Sequence, residues 1–263
     1  MPESDLALLT QAALAAGEIA QKYWQKSPEI WEKSDDAGPV TEADLAVNRM
    51  LLADLIGARP DYGWLSEESD DNAERLTATR LFVVDPIDGT RAFIEGARGF
   101  AHALAVVEQG VVTAGVVYLP MLDKLYTATL GGGAKLNGVS IVASNPVTED
   151  VASLLSARPN LEPQHWPGGV PPVDRQFQSS LAYRLALVGE GSFDAMLTLR
   201  DSWEWDIAAG ALIATEAGAR VTDRRDQPLK FNNPLPKVPG VLASGPHLHA
   251  QLMSRLTGPA SAA

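Results

Sequence analysis

The sequence predicts a mixed α/β (α+β) fold, and three observations lead to it. Leu6, Leu9, Ala13, Ala16, Ala20 and Tyr23 follow one another at alternating steps of 3 and 4, which draws an apolar stripe along an amphipathic helix. The runs Thr79–Val84, Ala103–Val107 and Val111–Leu119 are apolar, rich in valine and bounded by polar turns, as strands are. Past residue 145, helical and extended patterns alternate. That mixture excludes a helix bundle and an all-β barrel.

The elements follow in order. A charged loop with Gly and Pro, Lys33–Pro39, separates the first helix from a second that begins at Thr41. Leu45, Leu52 and Ile56 share the inward face of that helix, with Leu51 and Leu55 beside them. Thr79–Val84 reads as a strand that stops in an acidic turn. Glu108-Gln109-Gly110 joins the next two strands as a hairpin, and Lys124–Thr129 adds another before Gly131-Gly132-Gly133. Prolines 146, 159, 163, 167, 171 and 172 then mark loops and a domain boundary near 145, giving domains 1–145 and 146–263. In the second part Leu181–Val188 and Asp206–Ala217 read as helices, the latter with Gly218 as its C-cap. Phe193–Leu199, Ala219–Asp223 and Val238–Ser244 read as strands.

Composition narrows the function. The chain has 263 residues, no cysteine, four histidines, and 33 acidic against 21 basic side chains, for a net charge of −12. Without cysteine there is no thiol nucleophile, disulfide framework, thiolate zinc site or iron–sulfur cluster. The charge disfavours a nucleic acid polymer or an anionic membrane as partner. The start, Met1-Pro2-Glu3-Ser4-Asp5, lacks the positive region of a signal peptide, and no apolar run approaches 18 residues. A cytoplasmic protein is expected, with a frayed tail at Gly258–Ala263.

Carboxylates concentrate at three places. Glu67 and Glu68 lie in Ser66-Glu67-Glu68-Ser69 after a short apolar run. Asp85 and Asp88 bracket Pro86-Ile87 at the end of a strand, followed by Gly89-Thr90, whose N–H groups can cradle a phosphate where a helix begins. Asp206 precedes Ile207-Ala208-Ala209-Gly210. Oxygen ligands alone select a hard cation, Mg²⁺ first, and two ions about 4 Å apart would clamp a phosphoryl group and activate a water. Each place also has a plainer reading. Asp206 fits a helix N-cap, Thr41-Glu42-Ala43-Asp44 fits a capping box, and Glu67-Glu68 fits a solvated loop. A haloacid-dehalogenase phosphatase is excluded because its D-x-D spacing would need an acid where Ile87 stands.

Taken together, Pro39-Val40-Thr41-Glu42-Ala43-Asp44, Ser66-Glu67-Glu68-Ser69, Asp85-Pro86-Ile87-Asp88-Gly89-Thr90 and Glu204-Trp205-Asp206-Ile207-Ala208-Ala209-Gly210 closely resemble the inositol monophosphatase superfamily of Mg²⁺-dependent, lithium-sensitive phosphatases. Glu67 to Asp85 is 18 residues and Asp85 to Glu204 is 119. The resemblance implies a layered α-β-α-β-α sandwich of the inositol monophosphatase / fructose-1,6-bisphosphatase type, and a homodimer. By the same resemblance Glu67, Asp85 and the Ile87 carbonyl hold the ion that activates water, and Asp85, Asp88 and Asp206 hold a second at the leaving oxygen. A third, weaker ion sits near Glu67, making two to three Mg²⁺ per site. Thr90, paired with Asp44, takes the proton of the attacking water, and the Gly89 and Thr90 N–H groups bind phosphate oxygens.

The substrate implied is a small phosphorylated molecule. Arg91-Ala92-Phe93-Ile94, Ser179-Ser180-Leu181, Gly189-Glu190-Gly191 and Glu204-Trp205-Asp206 resemble 3′(2′),5′-bisphosphate nucleotidases, and Leu199 stands where an inositol-contacting glutamate is expected. This favours hydrolysis of 3′-phosphoadenosine 5′-phosphate to AMP and phosphate, with Arg91, Arg184 and Arg200 as contacts to the second phosphate. Trp203 as an adenine platform, and His165 and Trp166 on a Pro159–Pro172 pocket rim, are further candidates, with packing and plain surface as alternatives. Inositol phosphate, histidinol phosphate and an idle scaffold member are the competing readings.

Overall fold

The computed structural model describes residues 4–32 and 38–258, so the first three residues, most of the Lys33–Pro39 loop and the tail past Gly258 lie outside it. In chain order the elements are α1 (Asp5–Tyr23), β1 (Ile30–Glu32), β2 (Pro39–Thr41), α2 (Glu42–Ala58), β3 (Gly63–Ser66), β4 (Arg80–Asp88), α3 (Thr90–Ile94), β5 (Ala101–Glu108), β6 (Val111–Leu119), β7 (Lys124–Thr129), β8 (Gly133–Leu136) and β9 (Val139–Ser140). There follow β10 (Ser153–Ser156), β11 (Asp174–Gln176), α4 (Leu181–Glu190), β12 (Ala195–Trp203), α5 (Glu204–Glu216), β13 (Arg220–Thr222), β14 (Lys237–Ser244) and α6 (Pro246–Thr257).

Strands β3 to β9 form a seven-stranded sheet in chain order, antiparallel except for the parallel pair β3–β4. The later strands form a five-stranded sheet in the order β11-β10-β12-β14-β13, in which β11, β10 and β12 run parallel. Period-2 alternation gives each sheet two apolar faces, and both are covered. On one face of the larger sheet Phe82, Val84, Leu104 and Val106 meet Leu9, Ala13, Val47 and Leu51 from α1 and α2. On its other face Leu81, Val83, Ala103 and Val117 meet α4 and α5, which also pack on Leu155, Met196, Val241 and Ala243 of the smaller sheet. Leu154, Leu197 and Leu242 on the far side of that sheet bury Leu248, Leu252 and Met253 of α6. The result is the α-β-α-β-α sandwich the sequence resemblance implied.

Small residues make the middle layer thin. A Cβ on Gly115 of β6 would stand 3.1 Å from the Ala209 backbone, and one on Gly210 would stand 2.7 Å from Leu185 Cβ. The Ala208-Ala209-Gly210 stretch is therefore what lets α5 lie close to both β6 and α4. The hairpin at Glu108-Gln109-Gly110 forms as expected, with positive φ at Gln109 (50°) and Gly110 (84°) matching the twist of its strands. Gly218 (φ 95°) follows the end of α5, and the Ala219 N–H donates to the Ala214 carbonyl, as a glycine-terminated helix requires.

Four expectations need correction. The inward face of α2 is made by Val47, Leu51 and Leu55, while Leu52 is exposed and Leu45 and Ile56 lie at its margins, because the apolar stripe is centred one position away from the one expected. β4 does not stop at Val84 but continues through Pro86 to Asp88, because a bulge absorbs the proline. β12 runs on to Trp203 rather than ending at Leu199. Asp206 is not an N-cap: Trp203 holds that place, and Asp206 lies in the first turn of α5, where a negative charge suits the helix dipole. Short strands such as β3 and β10, and helix α6 with Pro246 in its first turn, had no clear periodic signal.

Candidate metal centre

The site is built around the bulge in β4. Its ladder partners on β5 step from Ala103, opposite Asp85, to Ala101, opposite Asp88. Two steps on β5 thus match three steps on β4. In a regular strand residues three apart point to opposite faces; the extra residue restores Asp88 to the face of Asp85. Both aspartates then look toward α5, while Ile87 turns its side chain into the core under α1 and α2. Asp206 meets them from the first turn of α5. One carboxylate oxygen from each of Asp85, Asp88 and Asp206 lies within 4.8 Å of the others.

Glu67 and Asp44 complete the acidic group. The Glu67 N–H donates to the Val84 carbonyl at 3.2 Å, which seats the turn after β3 beside the end of β4. That turn is held by Asn48 of α2: its amide donates to the Glu68 carbonyl (2.9 Å) and Ser69 Oγ (3.0 Å), and its own oxygen accepts from Ser66 Oγ (2.8 Å). Asp44 closes the expected capping box of α2, accepting from the Thr41 N–H at 2.9 Å. Its other oxygen lies 3.2 Å from Thr90 Oγ1, which is also 3.1 Å from the Ile87 carbonyl. Cap and chemistry are therefore read from the same aspartate. Gly89, at φ 97°, turns the chain from β4 into α3.

The electrostatics call for a cation. Burial, and then the charges of Glu67, Asp88, Asp206 and Asp44, hold the Asp85 carboxyl well above the usual range. Burial likewise pushes Asp88 up to about 6, against hydrogen bonds from Ser180 Oγ (2.6 Å) and the Ala182 N–H (2.7 Å). Asp44 rises to about 6, again mainly through burial. Asp85 Oδ1 is sealed from solvent with no hydrogen-bond partner. A sealed carboxylate oxygen among other carboxylates, with no nitrogen or sulfur donor in the set, fits a hard divalent ion.

Sequence reasoning missed Asn48 and the role of Ser180. Asn48 stands one turn after Asp44 on a buried helix face, a polar interruption that was a usable signal. Ser180 caps α4 through the Tyr183 N–H (2.9 Å) while donating to Asp88, a double duty visible only in three dimensions.

The basic residues divide. Arg184 is 6% exposed on α4. It feels the charges of Asp88, Asp206 and Arg200, and burial lowers it to about 10. Its Nε donates to the Gln178 carbonyl and its guanidinium lies 4.5 Å from the centroid of the exposed Phe177 ring. Its two terminal nitrogens make no hydrogen bond among the described residues. Arg200 is exposed at the outer part of β12. Arg91 is exposed on α3, and no contact joins it to the carboxylates among the described residues.

The remaining candidates take packing or surface roles. Trp203 stacks on Trp205 (4.7 Å, 11° between planes) with Lys237 Nζ 3.9 Å from its centroid, the packing role that the sequence offered as the alternative to an adenine platform. Trp166 is buried in the α6 core and donates to the Asn160 carbonyl at 2.8 Å, while His165 beside it is exposed. Leu199 packs against that same core.

Comparison with known proteins agrees with this geometry. The profile of the inositol monophosphatase family matches residues 1–258. An inositol-1-monophosphatase of Rhizobium meliloti (strain 1021) is 35% identical, covering 83% of this chain and 85% of its own. A 3′(2′),5′-bisphosphate nucleotidase CysQ of Aggregatibacter actinomycetemcomitans is 30% identical, covering 84% and 85%. The solved structure of a Thermotoga maritima IMPase superposes with a TM-score of 0.82 at 29% identity, over 96% of both chains. The chain belongs to the inositol monophosphatase family, whose enzymes are Mg²⁺-dependent phosphatases.

Proposed function

We propose that this phosphatase hydrolyses 3′-phosphoadenosine 5′-phosphate to AMP and phosphate. The observation that carries the substrate is Arg184: a buried guanidinium beside the carboxylates with two terminal nitrogens unbonded among the described residues. Those nitrogens are free to donate to an anion, and their nearness to the carboxylates supports a second phosphate of the substrate as the partner. Arg200 adds positive charge at the same edge. Arg91, exposed on α3, is the third proposed contact to the bound nucleotide.

Glu67, Asp85, the Ile87 carbonyl, Asp88 and Asp206 would hold the Mg²⁺ ions. Bound Mg²⁺ supplies charge neutralisation at both ends of an in-line displacement and lowers the pKa of the attacking water. The chain's own groups do the rest. Thr90 Oγ1 accepts the water proton as its hydroxyl proton passes to Asp44, whose raised pKa makes it an effective acceptor near neutrality. The Gly89 and Thr90 N–H groups bind phosphate oxygens. The new bond joins the water oxygen to phosphorus, the bond from phosphorus to the 3′-oxygen breaks, and that oxygen leaves as the AMP hydroxyl after taking a proton from solvent. In this reading residues 1–145 carry four of the five ligands, 146–263 carry Asp206, and the substrate lies between.

The test is phosphate release with and without Mg²⁺ from 3′-phosphoadenosine 5′-phosphate, inositol 1-phosphate and histidinol phosphate in parallel. A preference for the bisphosphate that falls in Arg184→Ala supports the proposal. A preference for inositol 1-phosphate or histidinol phosphate keeps the chemistry and overturns the substrate. The same preparation tests, by light scattering, the homodimer the resemblance implies, and its sensitivity to lithium.

A further inference from the structure

His102 is fully buried on β5, between the rings of Phe100 (centroids 6.1 Å apart) and Tyr118 (6.3 Å). An imidazole is a costly filler for such a place, since its Nε2 is sealed with no partner. The other nitrogen accounts for it. Nδ1 lies 2.5 Å from the Pro86 carbonyl, which can only accept, so Nδ1 carries the proton.

Pro86 sits inside the bulge, where ladder pairing skips from Asp85 to Asp88. Proline offers no N–H there, and the two bulge carbonyls have no place in the regular ladder. The Pro86 carbonyl has instead found a side-chain donor in His102 Nδ1, and the Ile87 carbonyl lies 3.1 Å from Thr90 Oγ1, whose one proton it shares with Asp44. His102 reaches in from the face opposite the aspartates, because its β5 neighbours Ala101 and Ala103 point toward α5.

We propose that His102 is a positioning residue for the metal centre: by holding the Pro86 carbonyl it fixes the bulge that sets Asp85 and Asp88 on one face. This rests on the metal-ligand reading above and not on the identity of the substrate. Outer groups that orient ligands matter because the ion requires its oxygens in place before it binds.

The test compares His102→Phe, which fills the space without the donor, with His102→Asn, whose amide N–H branches from the same position as Nδ1. His102→Leu repeats the deletion in a smaller side chain. Two readouts are used: the Mg²⁺ concentration for half of the Mg²⁺-dependent rise in melting temperature, and kcat and KM on the ester that the wild type turns over fastest. The expected result is a folded His102→Phe needing at least about tenfold more Mg²⁺, with kcat reduced and KM little changed, and His102→Asn within about threefold of wild type. A space-filling role predicts the reverse order, because Phe suits the aromatic surroundings better than Asn. Wild-type Mg²⁺ response and kcat in His102→Phe, or equal impairment in both variants, overturns the proposal. Absence of any Mg²⁺ response in the wild type overturns the metal-ligand reading and this inference with it.

Discussion

Replacing Asp88 with asparagine sets stability against function in a way the structure makes quantitative. In the metal-free protein the Asp88 carboxyl is raised from 3.8 to about 6, chiefly by burial. Asparagine has the same shape, and its amide oxygen can still accept from Ser180 Oγ and the Ala182 N–H. At about 1.4 kcal/mol per pKa unit, that rise amounts to ~3 kcal/mol of destabilisation by the charged form. The folded-state pKa lies above the unfolded one, so the penalty is full above pH ~6 and vanishes as pH falls below the unfolded value near 4. Metal-free Asp88→Asn should therefore melt about 6 °C above metal-free wild type near pH 7.5, at ~2 °C per kcal/mol for a chain of this size. The gap should close by about pH 4. Saturating Mg²⁺ should reverse the order, because the wild type gains binding energy that the variant largely forgoes, and turnover of the variant should be nearly abolished. Differential scanning calorimetry in chelator and in Mg²⁺ across this range, with a phosphate-release assay beside it, provides the measurement. Equal melting of the two metal-free proteins at neutral pH, or a wild-type Mg²⁺ response in the variant, would refute the reasoning.

Three further outcomes are expected. Thr90→Ala should lower kcat by about 100-fold or more while leaving the Mg²⁺-dependent rise in melting temperature in place, since the hydroxyl handles a proton and not the ion. Ser180→Ala should cost ~1 kcal/mol of stability through the lost α4 cap and weaken Mg²⁺ binding about tenfold through the lost hydrogen bond to Asp88, read by denaturation and by titration calorimetry. Gly115→Val should destabilise by ~1–3 kcal/mol in urea unfolding, because its Cβ has no room beside the Ala209 backbone.

Much of the fold was legible because its signals are local. The α1 stripe, the capping box at Thr41 and the hairpin at Gln109-Gly110 each state their geometry within a few residues. The acidic residues were legible as a set because the order of their motifs resembles a family, whereas the reason they converge was hidden. Nothing in Asp85-Pro86-Ile87-Asp88 says whether the proline ends the strand or is absorbed by it; the answer depends on where β5 pairs. Asp206 was misread as a cap because the helix starts two residues earlier, at Glu204, whose buried carboxylate is occupied with the Asn232 and Asn233 N–H groups. Leu199 and Trp203 show the same limit: distance in sequence from Asp206 gives no direction for a side chain once β12 has its own register shift.

Helix α5 is apolar around its whole circumference and lies between two sheets, with glycine contacts on two sides. A surface helix can drift by a fraction of a turn as its neighbours mutate; this one is clamped from above and below, and Asp206 with it. The end of the molecule where Asp206 meets Asp85 and Asp88 is consequently the part least open to gradual variation. Adaptation to a new ester has more room at exposed positions outside that clamp, such as Arg200 and Asp201 of β12 and the surface of the chain from Ala157 to Gln178, which includes exposed Phe177. A library confined to those positions would sample new leaving groups with the reaction centre unchanged, and one directed at α5 would return mostly unfolded protein.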